Sequence, residues 1–484
     1  MVTSQIVTPV PCMHSSARRK PLAACVAAIF AVAAPTTYAV TVGTCTDLAS
    51  ADPTNLRNSI AGAGNSATID LSGLACPGST ITLALGAIPI TQTSLTIKGA
   101  GMNALTIDGV SNGNGGMFRH TGSASGVLTI QDITLNRGYA YSASGTAQGG
   151  CVYSVGTVIL DHARVANCAA LTSGGTALGG GVFANKNMIL RYSVLDGNRS
   201  FASGFTAGIA TRGGGAYVAG ALLAKYSTIS ANRSTSIASG SGVGVGGGVY
   251  VKATASITES TISGNTAGGA VGGVMIQSTT GTNSIMNSTI SGNVAVHDKV
   301  GGVLSYAATT KVYNSTIAFN TAFIATGNSP TERYAPGFAS RSATTMLYSN
   351  LIANNGYGAS ATQNDVSLKT GSTISGSHNL IRASTSSANL PAGTIQGVCP
   401  LLGALRNNGG LTPTHALLSG SRGIDEGSVN TTPVLSYDQR GSAAKNGVQD
   451  YARVSGSFAD IGAYEVQQAD IVFNNGFEGC PVLF

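Results

Sequence analysis

Six copies of one short motif lie between Gly179 and Asn354, and two of them read Ser260-Thr261-Ile262-Ser263-Gly264-Asn265 and Ser288-Thr289-Ile290-Ser291-Gly292-Asn293. Each copy closes on an asparagine: Asn198, Asn232, Asn265, Asn293, Asn320 and Asn354. Successive closing asparagines are 34, 33, 28, 27 and 34 residues apart. A repeat of this length, built from β-branched residues and turn formers, indicates a stacked array of coils.

Each copy of the motif is preceded by a glycine-led segment such as Gly246-Gly247-Gly248-Val249-Tyr250, with a short segment such as Ala255-Ser256-Ile257-Thr258 between the two. One coil therefore offers three short strands in which apolar and small polar residues alternate. The repeat lacks the sustained 3.6-residue periodicity of a crossover helix. The sequence predicts an all-β fold, a right-handed single-stranded parallel β-helix in which each strand stacks on its equivalent one coil away.

In such a stack a turn asparagine can hydrogen-bond to the asparagine of the next coil, so the six closing residues predict an asparagine ladder. A second column, just before each motif serine, reads Tyr192, Tyr226, Glu259, Asn287, Asn314 and Tyr348. Because its residue types are mixed, we interpret it as an outward or turn position. Asn-x-Ser/Thr triplets at Asn198, Asn232, Asn287 and Asn314 also fit glycosylation acceptors. Stacking explains their repeat positions better.

Residues 1–39 have the three parts of an export signal. A basic Arg18-Arg19-Lys20 precedes an apolar run over 22–34, and Thr37-Tyr38-Ala39 offers small residues for cleavage. The apolar run is too short to span a bilayer. We expect a secreted or cell-surface chain with no transmembrane segment in its mature part.

Removal of the signal takes away Cys12 and Cys25, and export places the other six cysteines in an oxidising compartment, where disulfides are expected. The six residues are predicted to form three pairs: Cys45–Cys76, Cys151–Cys168 and Cys399–Cys480. The first pair brackets one N-terminal unit, the second replaces two repeat positions within one coil, and the third follows by elimination.

Residues 40–78 are predicted to form an N-terminal cap. Thr54 is placed to N-cap a short amphipathic helix through Leu56 and Ile60, which covers the open end of the first coil. The coils are predicted over residues 79–398. Without a cap, the first strand edge would invite aggregation.

The segment over residues 399–466 differs in character from the coils. It contains, in order, Cys399-Pro400-Leu401-Leu402-Gly403, an Asn407-to-Leu417 stretch, Ser421-Arg422-Gly423-Ile424-Asp425-Glu426-Gly427, Asp438-Gln439-Arg440-Gly441 and Asp460-Ile461-Gly462-Ala463-Tyr464-Glu465. This succession resembles the C-terminal region of choice-of-anchor Q domain proteins, a family of bacterial surface and secreted β-helix proteins, although Cys399 stands where that family usually has asparagine. The coil repeats resemble, more loosely, those of polymorphic outer-membrane proteins of the autotransporter type. The resemblance implies an exported β-helix at or outside the cell surface.

Three charged residues of this segment, Asp425, Arg440 and Asp460, are predicted to be structural. The Arg440 guanidinium is suited to bridge carboxylates such as those of Asp425 or Asp460, which would lock a C-terminal cap onto the last coil. The tail over 467–484 is either a sorting signal or a final edge strand.

Charged residues make up 9% of the 484-residue chain, whose formal net charge is +7. A nucleic-acid-binding protein usually has a basic patch, and this sparsely charged chain has no basic cluster in its mature part. We expect no nucleic-acid partner and no cofactor.

A polysaccharide lyase or glycosidase on this fold requires carboxylates beside an arginine or lysine. Arg191, Lys225 and Glu259 fall near corresponding positions of three successive coils and are the candidate catalytic residues. They fit equally well as charges of a solvated strand edge that oppose sheet pairing. Calcium is expected only if the chain is such an enzyme.

The segments between each closing asparagine and the next glycine pair vary in length and are predicted to emerge on one side of the solenoid. The candidate binding residues are Phe201, Phe205, His297, Asp298 and Tyr334. Such loops are able to grip a glycan or a partner surface, or they carry no ligand.

The sequence therefore predicts an exported single-domain β-helix with an adhesive, structural or glycan-binding role. A polysaccharide-active enzyme, either a pectate-lyase-like lyase or a glycoside hydrolase acting on the loop-lined face, is the alternative. An acidic cluster that meets arginine or lysine in a long groove would favour the enzyme. A smooth surface of Asn, Ser and Thr would favour the interaction protein.

Overall fold

The computed structural model describes residues 38–47, 52–110, 114–204, 210–237, 243–297, 300–323, 334–358, 363–384, 389–428 and 434–467. These residues form a parallel β-helix, as the repeat predicts. The export signal as far as residue 37, the binding candidates Phe205 and Asp298, and the tail from residue 468 lie outside the described residues.

Two long sheets form adjacent walls of the coils. Sheet 1 has 12 strands: Ala39–Thr41, Ala67–Asp70, Ser94–Lys98, Val127–Gln131, Thr157–Asp161, Met188–Arg191, Leu222–Lys225, Ala255–Thr258, Thr282–Met286, Thr309–Tyr313, Thr344–Tyr348 and Thr373–Ser377. Sheet 2 has 12 strands: Thr80–Thr82, Thr106–Asp108, Thr134–Asn136, Arg164–Ala166, Val194–Asp196, Thr228–Ser230, Thr261–Ser263, Thr289–Ser291, Thr316–Ala318, Leu351–Ala353, Leu380–Ile381 and Ile395–Gln396.

Three further sheets complete the circuit of each coil. Sheet 3 has eight strands: Tyr139–Ser142, Ala169–Thr172, Arg199–Ala202, Arg233–Ser236, Thr266–Ala267, Val294–Ala295, Thr321–Ala322 and Gly356–Tyr357. Sheet 4 has four strands: Ala147–Gln148, Ala177–Leu178, Ala210–Arg212 and Val243–Val245. Sheet 5 has ten strands: Ile88–Ile90, Phe118–His120, Val152–Ser154, Val182–Ala184, Ala216–Val218, Val249–Val251, Val274–Gln277, Val303–Tyr306, Phe338–Ser340 and Val366–Leu368.

The segments predicted to be loops are therefore partly strands. The segment after Asn198 begins with the sheet 3 strand Arg199–Ala202, which pairs in parallel register with Arg233–Ser236. Longer coils also contribute to sheet 4, so the fullest coil has five strands rather than the predicted three. Stacking satisfies the backbone of these segments, which would otherwise need water or side-chain partners.

The N-terminal boundary also differs from the prediction, because stacking begins before residue 79. The strand Ala39–Thr41 pairs with Ala67–Asp70, which pairs in turn with Ser94–Lys98. The first two strands of sheet 1 therefore belong to the region predicted to be only a cap.

The predicted cap helix is present and spans Leu56–Gly62. Its N-cap is Asn55 rather than Thr54, since the Asn55 side-chain oxygen accepts the backbone N–H of Asn58 at 2.8 Å. The side chains of Leu56 and Ile60 are buried in the core. The described residues also contain a helix over Ala443–Asn446 and a 3-10 helix over Pro77–Ser79. None of the helices in this part of the chain is long and apolar enough to cross a membrane.

Inward-facing side chains form one continuous apolar core that extends from Val42 to Ile381. Alternation along each strand decides which side chains enter it: Val158 and Leu160 are fully buried, whereas Thr157, Ile159 and Asp161 are partly exposed. At about 25 cal/mol for each Å² of apolar surface buried, this core is the main source of stability.

In nine coils sheet 1 is joined to sheet 2 by a corner that contains one residue in the left-handed backbone conformation, and we call these residues the corner column. Its members are Asp132, His162, Tyr192, Tyr226, Glu259, Asn287, Asn314, Ser349 and His378. All have φ between 46° and 55°, in the left-handed region. The mixed column read from the sequence is thus a turn position. Its last predicted member, Tyr348, is instead the final residue of a sheet 1 strand, and Ser349 takes the corner.

The asparagine ladder is confirmed for the first five closing residues. Between successive members, Nδ2 donates to the next Oδ1 at 2.8–2.9 Å, running through Asn198, Asn232, Asn265, Asn293 and Asn320. The same oxygens accept the backbone N–H of the preceding asparagine, and the five side chains are fully buried.

The ladder continues through Asn355, so the prediction of Asn354 as its sixth member is wrong. Asn320 Nδ2 donates to Asn355 Oδ1 at 2.9 Å. The register explains the shift, because Leu351 lies opposite Thr316 and every equivalent residue is one position later than the motif suggested. Asn354 occupies a left-handed turn, with φ 59°, and its Oδ1 accepts from Arg382 Nη1 at 2.7 Å.

The disulfides Cys45–Cys76 and Cys151–Cys168 are confirmed. Cys399 is also disulfide-bonded. Its predicted partner Cys480 lies outside the described residues.

The described residues of 399–467, which we call the strap, do not close the end of the last coil as predicted. The strap runs back along the outer side of sheet 2 and contacts the coils at successive positions. Ser428 N–H donates to Ser349 Oγ at 2.8 Å, and Ala463 N–H donates to Thr316 Oγ1 at 3.0 Å. Leu390, which precedes the strap, packs against the end of the core.

The middle of the strap docks through polar side chains that fit the small residues of sheet 2. Gln439 Oε1 accepts from Thr289 Oγ1 at 2.6 Å. The buried His415 ring lies between Ser291 Oγ, 2.8 Å from Nε2, and Gly403 O, 2.7 Å from Nδ1. Burial lowers the pKa of His415 to about 4, so the ring is neutral at pH 7. Nδ1 therefore donates to the carbonyl and Nε2 accepts from the serine.

Arg440 is at the centre of the strap and is 1% exposed. Its Nε and Nη2 donate to Asp438 Oδ2 at 2.9 and 2.7 Å, so its ion-pair partner differs from the predicted Asp425 or Asp460. The rings of Tyr451 and Tyr464 each lie 3.8 Å from the guanidinium carbon. The two aromatic rings and the Asp438 carboxylate, whose Oδ2 accepts both guanidinium N–H groups, together compensate for the burial of the charge.

The ladder provides the first test of this fold. Asn265→Ala removes four buried hydrogen bonds, which link Asn265 to Asn232, Asn293 and the Ile229 carbonyl. Because the partners remain buried, we expect the free energy of unfolding to fall by about 3–5 kcal/mol. Chemical denaturation measures the change. Asn187→Ala, at an exposed turn where Oδ1 accepts only Ala221 N–H, is the control and should cost about 1 kcal/mol or less. Equal small losses would contradict the ladder's structural role.

The strap provides a pH prediction. Burial, reinforced by the nearby negative charge of Asp460, raises the pKa of Glu465 to about 8 from its ordinary 4.5. The folded chain therefore holds a proton that the unfolded chain releases, and stability is lost as the pH rises from about 4.5 to about 8. Glu465 by itself is expected to contribute a loss of at most about 1.4 kcal/mol per pH unit.

Glu465→Gln should flatten this dependence when denaturation is followed at several pH values. The exposed Glu426→Gln is the matched control and should keep the wild-type slope. An unchanged slope in Glu465→Gln would show that another group carries the dependence.

Candidate functional site

A cleft of about 490 Å³ lies where the strap reaches its last contact on the coils, and we call it the corner cleft. Its lining combines the corner column, sheet 2 and the strap: Met102, His162, Tyr192, Ser193, Val194, Tyr226, Thr228, Leu411, Ala444 and Lys445. The strap contacts the corner column at Tyr226, through Lys445 Nζ and the tyrosine hydroxyl. The lining also includes Tyr192 and His162 from the two preceding coils.

Three aromatic side chains of the corner column stack in this cleft. The ring centroids of His162 and Tyr192 are 4.6 Å apart, and those of Tyr192 and Tyr226 are 4.9 Å apart, with interplanar angles of 12° and 17°. The spacing follows from the fold, since equivalent residues of stacked strands are about 4.8 Å apart. The stack is most exposed at its His162 end, where 53% of the imidazole side chain is accessible.

The other end of the stack is held by two lysines. Lys225 Nζ lies 5.0 Å and Lys445 Nζ lies 4.8 Å from the centroid of the Tyr226 ring. Burial raises the pKa of Tyr226, and a hydrogen bond to Glu259 and the charge of Glu259 raise it further. The Tyr226 hydroxyl is therefore protonated at pH 7, and its oxygen accepts from Lys445.

Two of the three candidate catalytic residues meet at this end. Lys225 Nζ lies 3.6 Å from Glu259 Oε2, and the Glu259 side chain is largely buried. The residues come from different columns, because Arg191 and Lys225 are register partners in sheet 1 whereas Glu259 is a corner residue. Arg191 is exposed. The prediction of corresponding positions is therefore correct for Arg191 and Lys225. The register partner of Lys225 in the next coil is Thr258, and Glu259 is the residue that follows it.

A second ionisable pair lies at the open end of the stack. Asp161 Oδ1 is 2.8 Å from His162 Nδ1. A carboxylate in this position fixes the proton on Nδ1 and leaves Nε2 as an acceptor. Among the described residues, no group of three or more His, Cys, Asp or Glu side chains is arranged to hold a metal ion.

The candidate binding residues do not converge on one site. The Phe201 ring lies on sheet 3 beneath Arg199, whose guanidinium carbon is 4.0 Å from the ring centroid. Tyr334 is 8% exposed and belongs to a buried cluster outside sheet 5, where Arg341 covers its ring at 4.0 Å. It is therefore not the exposed loop aromatic that the sequence suggested. His297 is exposed in a turn.

Sequence reasoning missed the corner cleft, although part of its signal was visible. Tyr192 and Tyr226 stood in the column before the motif serines, and their chemistry becomes apparent only when His162 is placed in the same register. Lys445 gave no signal, because 219 residues separate it from Tyr226.

Comparison of the chain with protein-family models, with curated proteins and with solved structures gave no match. A β-solenoid by itself does not define a role, since one fold supports many unrelated functions. The function has to be argued from the chemistry of the cleft.

The Lys225–Glu259 pair generates a stability prediction. Lys225→Met leaves the Glu259 carboxylate buried without its cation, and because the lysine is half-exposed we expect a loss of about 1 kcal/mol. Glu259→Asn introduces the residue that the fold has at Asn287 and Asn314, which tolerates the left-handed corner, so it should be nearly neutral.

Thermal or chemical denaturation of the two single variants and the double variant measures this coupling. Lys225→Met should cost nothing further in the Glu259→Asn background. An equal loss in both backgrounds would mean that the lysine stabilises the coils by other contacts, such as its position over Tyr226.

Proposed function

We propose that this chain is an exported β-solenoid that binds glycans through the corner cleft, in an adhesive or structural role at the cell surface or outside the cell. The observation that carries the proposal is the stacked aromatic wall of the cleft, edged by hydroxyl and ammonium groups. Aromatic side chains offer apolar surface with a polar edge, and the C–H faces of a sugar ring pack on such surface while its hydroxyls hydrogen-bond to polar neighbours.

The paired state of the nearby carboxylates favours binding over catalysis. Glu259 is largely buried, and its Oε2 lies 3.6 Å from Lys225 Nζ. A general acid or base must reach the atom that it protonates or deprotonates, which a buried and paired carboxylate does poorly.

Export is supported by independent features. The disulfides Cys45–Cys76 and Cys151–Cys168 are typical of proteins in oxidising compartments. The predicted signal over residues 1–39 and the resemblance of residues 399–466 to choice-of-anchor Q domains point the same way. The proposal therefore includes an export signal over residues 1–39 and a choice-of-anchor Q-like segment over residues 399–466.

One observation favours a polysaccharide lyase or glycoside hydrolase as the second candidate. The Asp161–His162 pair, at 2.8 Å, has the geometry of an imidazole that is oriented by a carboxylate to act as a base. It lies at the open end of the aromatic stack, where a sugar bound in the cleft would contact it.

The test combines binding and cleavage by the purified mature chain on a panel of plant and bacterial polysaccharides, with and without Ca²⁺. Tyr192→Asn inserts a residue that the corner column already accepts, and we expect it to lower glycan affinity about tenfold by removing stacked aromatic surface. Tyr348→Ser is the matched control, since Tyr348 lies on sheet 1 away from the cleft, in the register column that has Ser377.

If the wild-type chain releases reducing ends and His162→Asn does not, the enzymatic role replaces the binding role. Absence of binding and of cleavage across the panel, or equal loss of affinity in Tyr192→Asn and Tyr348→Ser, would overturn the assignment of the cleft. Thermal unfolding of each variant confirms that the coils remain intact.

A further inference from the structure

Two arginines face each other on the outer side of sheet 3, away from the corner cleft. Arg199 and Arg233 are directly opposite residues of neighbouring parallel strands, and both are exposed. Like charges at directly opposite positions of a sheet are destabilising. Within the described part of the chain, no ion pair joins either guanidinium to a carboxylate.

The surrounding coils have positive charge and no negative charge. The stretch over residues 197–258 contains no aspartate or glutamate, although it contains five basic residues: Arg199, Arg212, Lys225, Arg233 and Lys252. The acidic residues that flank this stretch are already paired, Asp196 with Arg164 at 2.6 Å and Glu259 with Lys225 at 3.6 Å. In a chain with 9% charged residues, two whole coils without a carboxylate leave the arginine pair uncompensated.

The first arginine of the pair is also held in place. Arg199 and Phe201 lie two residues apart on the same face of their strand, and the guanidinium carbon is 4.0 Å from the ring centroid. An arginine that stacks on a ring keeps its N–H groups around the rim of the guanidinium plane, where they bind planar oxyanions in a bidentate manner. Burial and the charge of Arg233 lower the pKa of Arg199, so an anion between the two would relieve the repulsion.

We propose that Arg199 and Arg233 form an oxyanion-binding site for the carboxylate or sulfate groups of an acidic polysaccharide. The exposed Tyr141 and the half-buried Leu171 and Phe201 occupy one register column beside the site and supply apolar surface for the sugar rings. The charge is confined to one pair rather than spread along a track, which favours a glycan with spaced anionic groups over the continuous phosphate backbone of a nucleic acid. The site is separate from the corner cleft and does not depend on the function proposed for it.

The test compares two double variants of the disulfide-bonded mature chain that remove the same charge. Arg199→Gln with Arg233→Gln removes the site, and Arg119→Gln with Arg341→Gln removes two arginines that stack on Tyr153 and Tyr334 elsewhere. Titration calorimetry with oligogalacturonate, a sulfated oligosaccharide, a neutral oligosaccharide and a single-stranded oligonucleotide, each at low and moderate salt, gives the affinities.

We expect the first double variant to lose about tenfold or more in affinity for the acidic oligosaccharides, because each arginine contributes charge-assisted hydrogen bonds. The second should lose less than about twofold, as expected for charges distant from the site. The carboxylated and sulfated probes identify which oxyanion the site prefers. The fold-change caused by the first double variant should be the same with Tyr192 and with Asn at position 192, which separates failure of this site from failure of the cleft.

Three results would overturn the proposal. Equal losses in the two double variants would mean diffuse electrostatic attraction. Binding of the oligonucleotide as tight as that of the acidic glycans, with the same dependence on Arg199 and Arg233, would mean a general polyanion surface. No measurable binding of either acidic oligosaccharide to the wild-type chain would mean that the pair has no such ligand.

Discussion

Stacking in register is the constraint on which the rest of this molecule depends. A polar side chain buried at a turn has no water, so its hydrogen bonds must come from the protein. Register supplies them by placing a copy of the same group one strand spacing away, as between Asn232 and Asn265. A second series on the other side of sheet 2 works similarly: the backbone N–H of Ser227 donates to Ser260 Oγ, whose hydroxyl donates to Thr258 O. Columns of hydrogen-bonded polar side chains therefore stabilise the turns of the solenoid, and the apolar core stabilises its interior.

The corner column shows how the same constraint creates a surface with chemistry. Every member adopts a left-handed backbone conformation, which costs a residue other than glycine or asparagine roughly 1–2 kcal/mol. Asn287 and Asn314 fit this conformation and lie under the strap, where they contact Tyr437 and Arg453. Tyr192 fits it less well, and it lines the open cleft beside His162. Residues that depart from the local preference at an accessible position are where function is expected.

Sequence reasoning succeeded where the repeat decides the outcome. The spacing of the closing asparagines was sufficient for the solenoid and most of the ladder, and repeat positions also pointed to the Cys151–Cys168 disulfide. It failed where contacts do not repeat. One extra residue before Asn355 moved the register, which no motif reveals, because Asn354 and Asn355 are the same residue type. The path of the strap depends on single long-range contacts, such as that between His415 and Ser291. The corner cleft inherits this difficulty, since one of its walls is the strap.

The asparagine ladder has a direction. From one asparagine to the next, the backbone N–H and Nδ2 donate to the Oδ1 of the following coil. At the end of the series Asn355 donates from its N–H and its Nδ2 to the Asp365 carboxylate, at 2.9 and 2.8 Å. A carboxylate has only acceptors, so the series of hydrogen bonds ends at Asp365. An asparagine has both a donor and an acceptor, so it continues the series to the next coil. Whole coils can therefore be gained or lost between Asn198 and Asn320 during evolution with every rung still matched. The length of this solenoid is a variable that natural selection can adjust in units of one coil.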